Sequence, residues 1–401
     1  MIIEKNNKNF DVVYDANSLI EAFFKSAKGS AWKQSVQRYE INLLEETRKL
    51  QIALENGIYR QKPFNEFELN ERGKTRDIKA FDISDRVVQR SFCDNILTPQ
   101  LINYYIYDNG ASIKGKGESF TRRRLVAHLC KFYRRNKSND GYVLKIDFSK
   151  FFDNIDHEKL FNIVLPKLKD DRSKALFIYM INMFRIDVSY LTDEEYEHFR
   201  DRPFNSLEYP PVPKEQLIEK RFADISVGIG GQPSQHAGLI YPSPIDNYCK
   251  CVKRLKYYGR YMDDIYIIHE SKEYLGKLLK ELINIAKEIG VFLNPKKTQI
   301  IKLSKGFIFM NVRYVLTSSG KILKIPAKKN FVRMRRKLKK LAQKVKSGKI
   351  QYENVANMYK GWRGTMKKYN CHDRLKNMDS LFNDLFINER NHKNEICSYH
   401  G

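Results

Sequence analysis

Two stretches of the chain repeat hydrophobic residues with a helical period. One covers residues 34–56 and is followed by Gly57, and the other covers residues 274–290 and ends at Gly290. Apolar residues three or four positions apart share one face of a helix, and glycine favours its C-terminal end. We therefore expect one helix in each stretch. The apolar face of the first helix is formed by Leu43, Leu50 and Leu54.

Two shorter apolar runs predict buried strands. Residues 142–148 read YVLKIDF, and residues 257–269 contain the almost continuous apolar run around RYMDDIYII. The second run is long enough for two strands, and a turn at Met262 and Asp263 would make it a hairpin. Between the runs, residues 187–226 are polar and include PPVP, so we expect a loop-rich insertion there.

The last part of the chain predicts a helix that is apolar on one side only. From residue 321 onward the sequence is strongly basic, and apolar residues recur within it at helical spacing. A helix of this kind packs on one face and presents cations on the others. The apolar stripe is Met334, Leu338, Leu341 and Val345.

Composition adds a polyanionic partner to this picture. The 401 residues are too many for one core, so two or three subdomains are expected. The chain has 73 Lys and Arg against 47 Asp and Glu, a formal charge of +26. Such an excess, clustered in part, is typical of nucleic-acid binding. The alternative is a basic protein that its charge merely keeps soluble.

The N-terminus and the cysteines point to a cytoplasmic protein. The opening residues MIIEKNNKNFD lack the apolar run of a signal peptide, and no run is long enough to span a bilayer. We therefore expect no membrane partner. The six cysteines lack the paired spacing of a zinc site, so we expect them to be reduced.

Two adjacent acids inside an apolar run need partners. Asp263 and Asp264 would be costly to bury as lone charges. A third acid, Asp147, ends the strand over residues 142–148, and side-by-side strands would bring the three together. Converging carboxylates suit Mg²⁺, and two such ions clamp the reacting phosphates of polymerases.

Several motifs, in one order, resemble those of reverse transcriptases of the bacterial retroelement type. The resemblance covers residues 70–370 and leaves only residues 371–401 after it, so we expect no nuclease or RNase H domain. The matching segments are RGKTRDIKAFDISDRVVQ and IYDNGASIKGKG in the fingers motifs, KIDFSKFFDNIDH in motif A, VGIGGQPSQ in motif B, YMDD in motif C, LNPKKT in motif D and FIFMNVRYVL in the primer grip.

The resemblance implies an α+β right-hand polymerase: fingers and a palm with an antiparallel sheet, then a helical thumb. The expected segments are an N-terminal helical extension (1–68), fingers and palm (69–318), and a basic helical thumb with a C-terminal tail (319–401). The implied activity is RNA-directed DNA synthesis by addition of dNTPs to a primer or nascent DNA strand. Nothing in the sequence fixes the oligomeric state.

The family's catalytic residues carry over onto matching positions. Asp147, Asp263 and Asp264 correspond to its metal ligands, with the backbone carbonyl of Phe148 as a further ligand. The implied cofactor is a pair of Mg²⁺ ions, for which Mn²⁺ could substitute. Of the nearby residues, we expect Asp153 and Asp156 to cap or orient the following helix and His157 to be a structural partner.

The family also implies residues that hold the nucleotide and the nucleic acid. Phe152 would lie under the sugar and select dNTPs, and Lys297 would meet the leaving pyrophosphate, with Lys296 as the alternative. Trp362 is expected to pack between thumb helices. The other nucleotide-binding positions are Lys74, Arg76 and Gln235, and the helix that would grip the duplex offers Arg333, Arg335, Arg336, Lys337 and Lys340.

Motif B bears on the biological role. Where many relatives have a glutamine beside the incoming base, this chain has Ile229, in an IGxxxSQ pattern. The pattern resembles enzymes of phage defence and of diversity-generating retroelements, so a noncoding RNA template and either role are expected, with defence favoured. A catalytically silent RNA-binding module is the alternative of another class.

Overall fold

The structure, a computed structural model, describes residues 10–71, 73–195 and 222–388. It combines helices with small sheets in which the registered strand pairs are antiparallel. This arrangement confirms the expected α+β class with antiparallel sheets.

The described part of the chain contains helices along its whole length. They are α1 (Ala16–Ala27), α2 (Gln34–Ile41), α3 (Leu43–Glu55), α4 (Ile83–Phe92), α5 (Thr98–Leu101), α6 (Glu118–Asn136), α7 (His157–Val164), α8 (Asp171–Asn182), α9 (Gln232–Ile240), α10 (Ser243–Asn247), α11 (Lys272–Glu288), α12 (Lys328–Lys346), α13 (Tyr352–Met366) and α14 (His372–Asn383).

Within the described ranges the strands form four sheets, with the orders β1-β2, β6-β7-β3-β8, β11-β10-β9 and β4-β5. They are β1 (Asn65–Glu71), β2 (Lys74–Ala80), β3 (Tyr142–Ile146), β4 (Ile186–Asp187), β5 (Phe222–Ala223), β6 (Tyr258–Tyr261), β7 (Asp264–His269), β8 (Gln299–Lys302), β9 (Phe307–Phe309), β10 (Val312–Leu316) and β11 (Ile322–Pro326).

By its contacts the chain divides into two compact units, each discontinuous in sequence. The division into extension, fingers with palm, and thumb stays a prediction. Unit 1 is 1–121, 145–267 and 274–299, and unit 2 is 122–144, 268–273 and 300–401, within the described ranges.

The two predicted strand runs are confirmed. The strand expected over residues 142–148 is β3, and the run over 257–269 is the antiparallel hairpin β6–β7, in which Tyr261 pairs with Asp264. Met262 occupies the turn with a φ of 55°, a left-handed conformation that bends the chain sharply. The hairpin therefore sets Asp263 and Asp264 at one end of its two strands.

The single helix expected over residues 34–56 is wrong in one respect. The stretch forms two helices, α2 and α3, that meet at Asn42. The Asn42 side chain donates a hydrogen bond from Nδ2 to the carbonyl of Arg38 at 3.1 Å. Asparagine side chains compete with the backbone for such carbonyls, which interrupts a helix that the apolar period alone would continue. Gly57 follows α3 with a φ of 68°, as expected of a stop.

Helices α12, α13 and α14 share one apolar core in unit 2. Met334 and Leu338 of the predicted stripe are buried in it, and Leu341 and Val345 pack against it. Trp362 also packs there, 5.6 Å from the ring of Phe331. The one-sided helix and the packing of Trp362 are therefore confirmed.

The predicted insertion over 187–226 is described only at its two ends, and the rest of that prediction lies outside the described residues. At the ends, β4 and β5 pair antiparallel, with Ile186 opposite Ala223. No described helix has the length and hydropathy needed to cross a bilayer. The described cysteines are all free thiols.

Candidate active site

Asp147 follows β3 directly and is held by one loop of unit 1. Its backbone carbonyl accepts a hydrogen bond from the N–H of Asn294 at 2.7 Å, and its carboxylate accepts one from Lys297 Nζ, also at 2.7 Å. The residue is only 8% exposed. The segment over 294–297, which lies far from Asp147 in sequence, thus fixes both its backbone and its charge.

Asp264 is the first residue of β7, and the charges of the other two predicted ligands affect its pKa. Its pKa is raised to about 6, mainly by burial and also by the charges of Asp263 and Asp147, while Lys145 and Lys297 oppose the shift. Strand β7 is the neighbour of β3 in the sheet. The charges of the two other predicted ligands and of two lysines therefore act on Asp264.

The arrangement fits divalent cations in the kind of donor it offers. Carboxylate and carbonyl oxygens are the ligands that Mg²⁺ prefers. Among the described residues, no hydrogen bond ends on the backbone carbonyl of Phe148, so this predicted ligand is available. The ring of Phe148 is buried and stacks on Phe151 at 5.4 Å.

The side-chain positions do not form a finished metal cage. In the part of the chain that the structure describes, no three His, Cys, Asp or Glu side chains stand where they could hold an ion together. At Asp147 the neighbouring cation is the ammonium group of Lys297. Binding of a metal ion by all three acids therefore requires side chains to move, with Lys297 leaving the carboxylate of Asp147.

Sequence reasoning missed the residue that supports the turn. Arg260 is fully buried and donates from Nη1 to the carbonyl of Met262 at 3.0 Å and from Nη2 to the carbonyl of Leu239 at 2.8 Å. Its guanidinium also pairs with Asp246, which is itself buried, at 2.6 Å. A charged residue inside an apolar strand is a signal of such a network, but its partner lies 14 residues away.

Phe152 lies beside the same turn. A Cβ at Gly238 of α9 would approach Phe152 Cε1 to 3.0 Å and Met262 Sδ to 3.1 Å. Glycine therefore lets α9 lie against both side chains, and Phe152 remains half-buried. The structure thus brings the predicted sugar-contacting ring to the turn that carries Asp263.

The motif B loop touches strand β2 of the first hairpin. The N–H of Lys79 donates to the carbonyl of Ile229 at 3.1 Å. Gly230 has a φ of 143°, and a Cβ there would lie 2.4 Å from the carbonyl oxygen of Lys79. Only glycine permits this approach, so the loop and the hairpin are held together by backbone contact.

The remaining nucleotide-binding candidates are Lys74, Arg76, Gln235 and Lys297. Arg76 is exposed on the face of the hairpin that also carries Phe67, and the described residues give it no ion pair. The backbone of Lys74 begins β2. Gln235 is exposed on α9, and Lys297 contacts the predicted metal ligand Asp147.

The acids and the histidine next to Asp147 have different roles. Asp156 caps α7, since its Oδ1 accepts from the N–H of Lys159 at 2.9 Å, as expected. His157 is buried and pairs through Nε2 with the carbonyl of Ser226 at 2.6 Å, which fits a structural partner. Asp153 makes no such cap. Burial raises the pKa of its carboxyl group, the charge of Asp77 in the hairpin raises it further, and that of Lys79 lowers it.

The predicted duplex-binding residues form the solvent-facing side of α12. All five are exposed, on a helix whose buried side is formed by Phe331, Met334, Leu338 and Ala342. The described residues pair Arg333 only with the side chain of Asn330. The exposed residues are Arg333, Arg335, Arg336, Lys337 and Lys340.

Comparison with known proteins gives a partial match. Residues 234–353 match the sequence profile of the reverse transcriptase (RNA-dependent DNA polymerase) family. The matched segment is less than a third of the 401 residues and includes Asp263, Asp264 and Lys297, but not Asp147. No curated protein matches the chain.

Solved structures similar to this chain include telomerases from two Candida species. A Candida albicans telomerase with a fragment of telomeric RNA shows 11% identity, a TM-score of 0.44, and coverage of 82% of this chain and 59% of that one. An apo telomerase from Candida tropicalis shows 14% identity, a TM-score of 0.42, and coverage of 70% and 53%. This chain spans little over half of their length.

Proposed function

We propose that the chain is an RNA-directed DNA polymerase that extends a primer with dNTPs on an RNA template. One observation carries the proposal: the charges of Asp147 and Asp263 act on Asp264 at neighbouring strand ends, and Asp263 and Asp264 lie in a segment that matches the reverse transcriptase family. Acids in such an apolar setting need cations, and polymerase chemistry supplies a reason to keep them there.

Different residues of the chain would bind the metal ions and assist the leaving group. Asp147, Asp263 and Asp264, with the Phe148 carbonyl, would hold two Mg²⁺ ions, or Mn²⁺ in their place. When bound, such ions activate a hydroxyl group and neutralise phosphate charge. Lys297, once it leaves Asp147, would have a free ammonium group to donate a proton or a hydrogen bond to the departing pyrophosphate.

Other residues would orient the nucleotide and the duplex. Phe152, beside the Met262 turn, would contact the sugar of a dNTP. Lys74, Arg76 and Gln235 would contact its triphosphate or base. The exposed cations of α12 would hold the primer–template backbone through phosphate contacts.

The finer role rests on the motif resemblance. We propose a bacterial retroelement-type enzyme in the cytoplasm that copies a structured noncoding RNA in phage defence. A diversity-generating retroelement is the alternative. A variable repeat next to the gene would favour diversification, whereas a noncoding RNA gene without such a repeat would favour defence.

A second candidate function has one observation in its favour. The ammonium group of Lys297 forms an ion pair with the carboxylate of Asp147. Among the described residues, no three metal-binding side chains are placed to hold an ion together. A protein in which this ion pair persists would bind RNA without catalysis. The two candidates make different predictions in one assay.

The assay uses a primed RNA, dNTPs and Mg²⁺, with RNA affinity measured in parallel. The test variant is Asp263→Asn with Asp264→Asn, and the control is Glu288→Gln, an exposed acid on α11. We expect the wild type and the control to extend the primer, and the double variant to bind RNA without extending it. Binding without extension by all three proteins would support the silent module instead.

A further inference from the structure

Helix α6 presents a stripe of cations that the proposed active site does not use. Arg123, Lys131, Arg134 and Arg135 are all exposed and lie on one side of the helix. With 1.5 Å of rise per residue, the stripe extends about 18 Å. These residues lie in unit 2, whereas the candidate active-site residues all lie in unit 1.

The opposite side of α6 is a packing face. Leu125, His128, Leu129 and Phe132 are at most 2% exposed. Two further arginines of the helix are engaged internally: Arg122 donates to Tyr369 Oη and to the carbonyl of Met310, and Arg124 contacts His128. The helix therefore separates cations that stabilise unit 2 from cations that face solvent.

The stripe differs from an ordinary solvated surface. After Glu118, α6 contains no acid, and the described residues give Arg123, Lys131, Arg134 and Arg135 no ion pair. Helix α11 shows the ordinary case, since Lys277, Lys280 and Lys287 are interspersed with Glu273, Glu281 and Glu288. Mixed signs are typical of a solvated helix, and a stripe of one sign favours a polyanion.

The chemistry of the stripe selects a double helix over a single strand or a membrane. Single-strand binding uses exposed aromatic rings for base stacking. On α6, Phe132 is buried, Tyr133 donates its hydroxyl to the carbonyl of Ser318, and Phe120 is half-buried against the ring of Tyr107 at 5.6 Å. Membrane-surface helices insert apolar side chains, and none of the large exposed hydrophobic residues described lies on α6.

We propose that the α6 stripe binds the phosphate backbone of double-helical RNA, independently of sequence. The proposal rests on the proposed function, because a polymerase that copies a structured RNA must hold the folded part while its active site copies the template. Contacts of this type position a duplex and leave its sequence unread. They also weaken steeply with salt.

The test compares two probes with the full-length protein. One is a short primer–template, and the other is the same primer–template joined to a long RNA hairpin. The test variant is Lys131→Glu, Arg134→Glu, Arg135→Glu, and the matched control is Lys277→Glu, Lys280→Glu, Lys287→Glu on α11. A milder variant with glutamine at the three α6 positions guards against misfolding, which circular dichroism would report.

We expect the wild type and the α11 control to bind the hairpin probe more tightly than the short one. The α6 variant should lose this preference, with a fall of at least about tenfold in hairpin affinity and a salt slope lower by roughly 2–3. Extension of the short probe should be unchanged. If the wild type did not extend the primer, the proposed function would be wrong. The hairpin-binding result would still test whether the α6 stripe binds RNA.

Three outcomes would overturn the proposal. The α6 variant could bind the hairpin probe within about twofold of the α11 control. A DNA hairpin of the same sequence could bind as tightly as the RNA hairpin and lose as much affinity in the variant. Vesicles of phosphatidylserine and phosphatidylcholine could bind the wild type and release the variant while RNA affinity stays constant.

Discussion

Arg260 Nη1 donates a hydrogen bond to the carbonyl of Met262 at 3.0 Å, directly beneath the turn that carries Asp263. The same guanidinium pairs with the buried Asp246. The arginine backbone is also bound on both sides, since its N–H donates to Asp108 and its carbonyl accepts from Gly110. One side chain and its backbone therefore connect α9, α10 and the segment over 108–110 to the acid-bearing turn.

Replacing Arg260 with methionine should damage both stability and catalysis. Loss of one partner leaves Asp246 buried and uncompensated, which costs about 3–5 kcal/mol of unfolding free energy. Denaturant unfolding would measure that loss, and single-nucleotide extension would measure the rate.

A second substitution separates the two effects. In Arg260→Met with Asp246→Asn, the buried charge is gone and the asparagine oxygen can still accept from Tyr258. We expect stability to return largely while kcat stays low, because Met262 still lacks its hydrogen bond. Recovery of kcat together with stability would show that Arg260 has a structural role only.

Lys297→Met should make the protein bind Mg²⁺ more tightly while slowing the reaction. The lysine ammonium lies 2.7 Å from Asp147 and competes with any cation there. The increase in melting temperature with added Mg²⁺ should therefore reach half its maximum at a lower concentration. Extension should slow by about 10²–10⁴-fold if Lys297 also acts as a general acid.

Lys296→Met is the matched control, since Lys296 is exposed and its side chain makes no described contact. It should leave both the Mg²⁺ dependence and the rate near the wild-type values. A larger effect from Lys296→Met than from Lys297→Met would assign the role to Lys296.

Phe152→Val should relax the choice between dNTPs and rNTPs. The ring is half-buried beside Met262, and a smaller side chain would leave room for a 2′-hydroxyl. We expect the ratio of kcat/KM values for dNTP over rNTP to fall by about 10–100-fold. Phe151→Val, at a buried position 4% exposed, should lower stability instead and leave the ratio unchanged.

Gly238→Ala should disturb the same ring from the other side. The added Cβ would come within 3.1 Å of both Phe152 and Met262, so one of them must shift. We expect slower extension and a changed nucleotide ratio. Gly276→Ala on α11 is the control: its Cβ meets nothing within 4 Å, so it should stabilise the helix by about 1 kcal/mol without affecting activity.

Because of Asp85, we expect the free energy of unfolding to decrease as pH rises from about 4 to about 6. Burial raises its pKa to about 6, although Tyr59 and the N–H of Lys62 donate hydrogen bonds to it. The folded state therefore binds a proton that the unfolded state has already lost in this window, and the slope of unfolding free energy with pH is negative.

Asp85→Asn should flatten that slope, with a difference of up to about 3 kcal/mol between the two ends of the window. The asparagine oxygen still accepts from Tyr59, so the variant should fold. Unfolding free energies at pH 4.5 and pH 7 would measure the effect. An unchanged slope in the variant would mean that other acids, such as Asp264, dominate it.

The elements that the sequence predicted are those governed by local pattern. Strand β3, the hairpin at Met262 and the one-sided α12 follow from runs and periods within single segments. The split at Asn42 was missed because a side-chain hydrogen bond overrides the apolar period there.

The missed features of the site depend on contacts between distant segments. Lys297 was expected near phosphate, and its ion pair with Asp147, 150 residues away, follows only from the packed structure. The pairing of Arg260 with Asp246 and the approach of Gly238 to Phe152 likewise require the placement of helices. No periodicity in the sequence encodes such distances.

The most direct test of the account is single-turnover addition of one dNTP to a DNA primer on an RNA template, comparing the wild type with Asp147→Asn. Asparagine keeps the shape of the side chain. It removes the negative charge that pairs with Lys297 and raises the pKa of Asp264. We predict that the wild type adds the templated nucleotide, and that the variant binds the substrate equally well but reacts at least about 10³-fold more slowly. Equal rates in the two proteins would contradict the account.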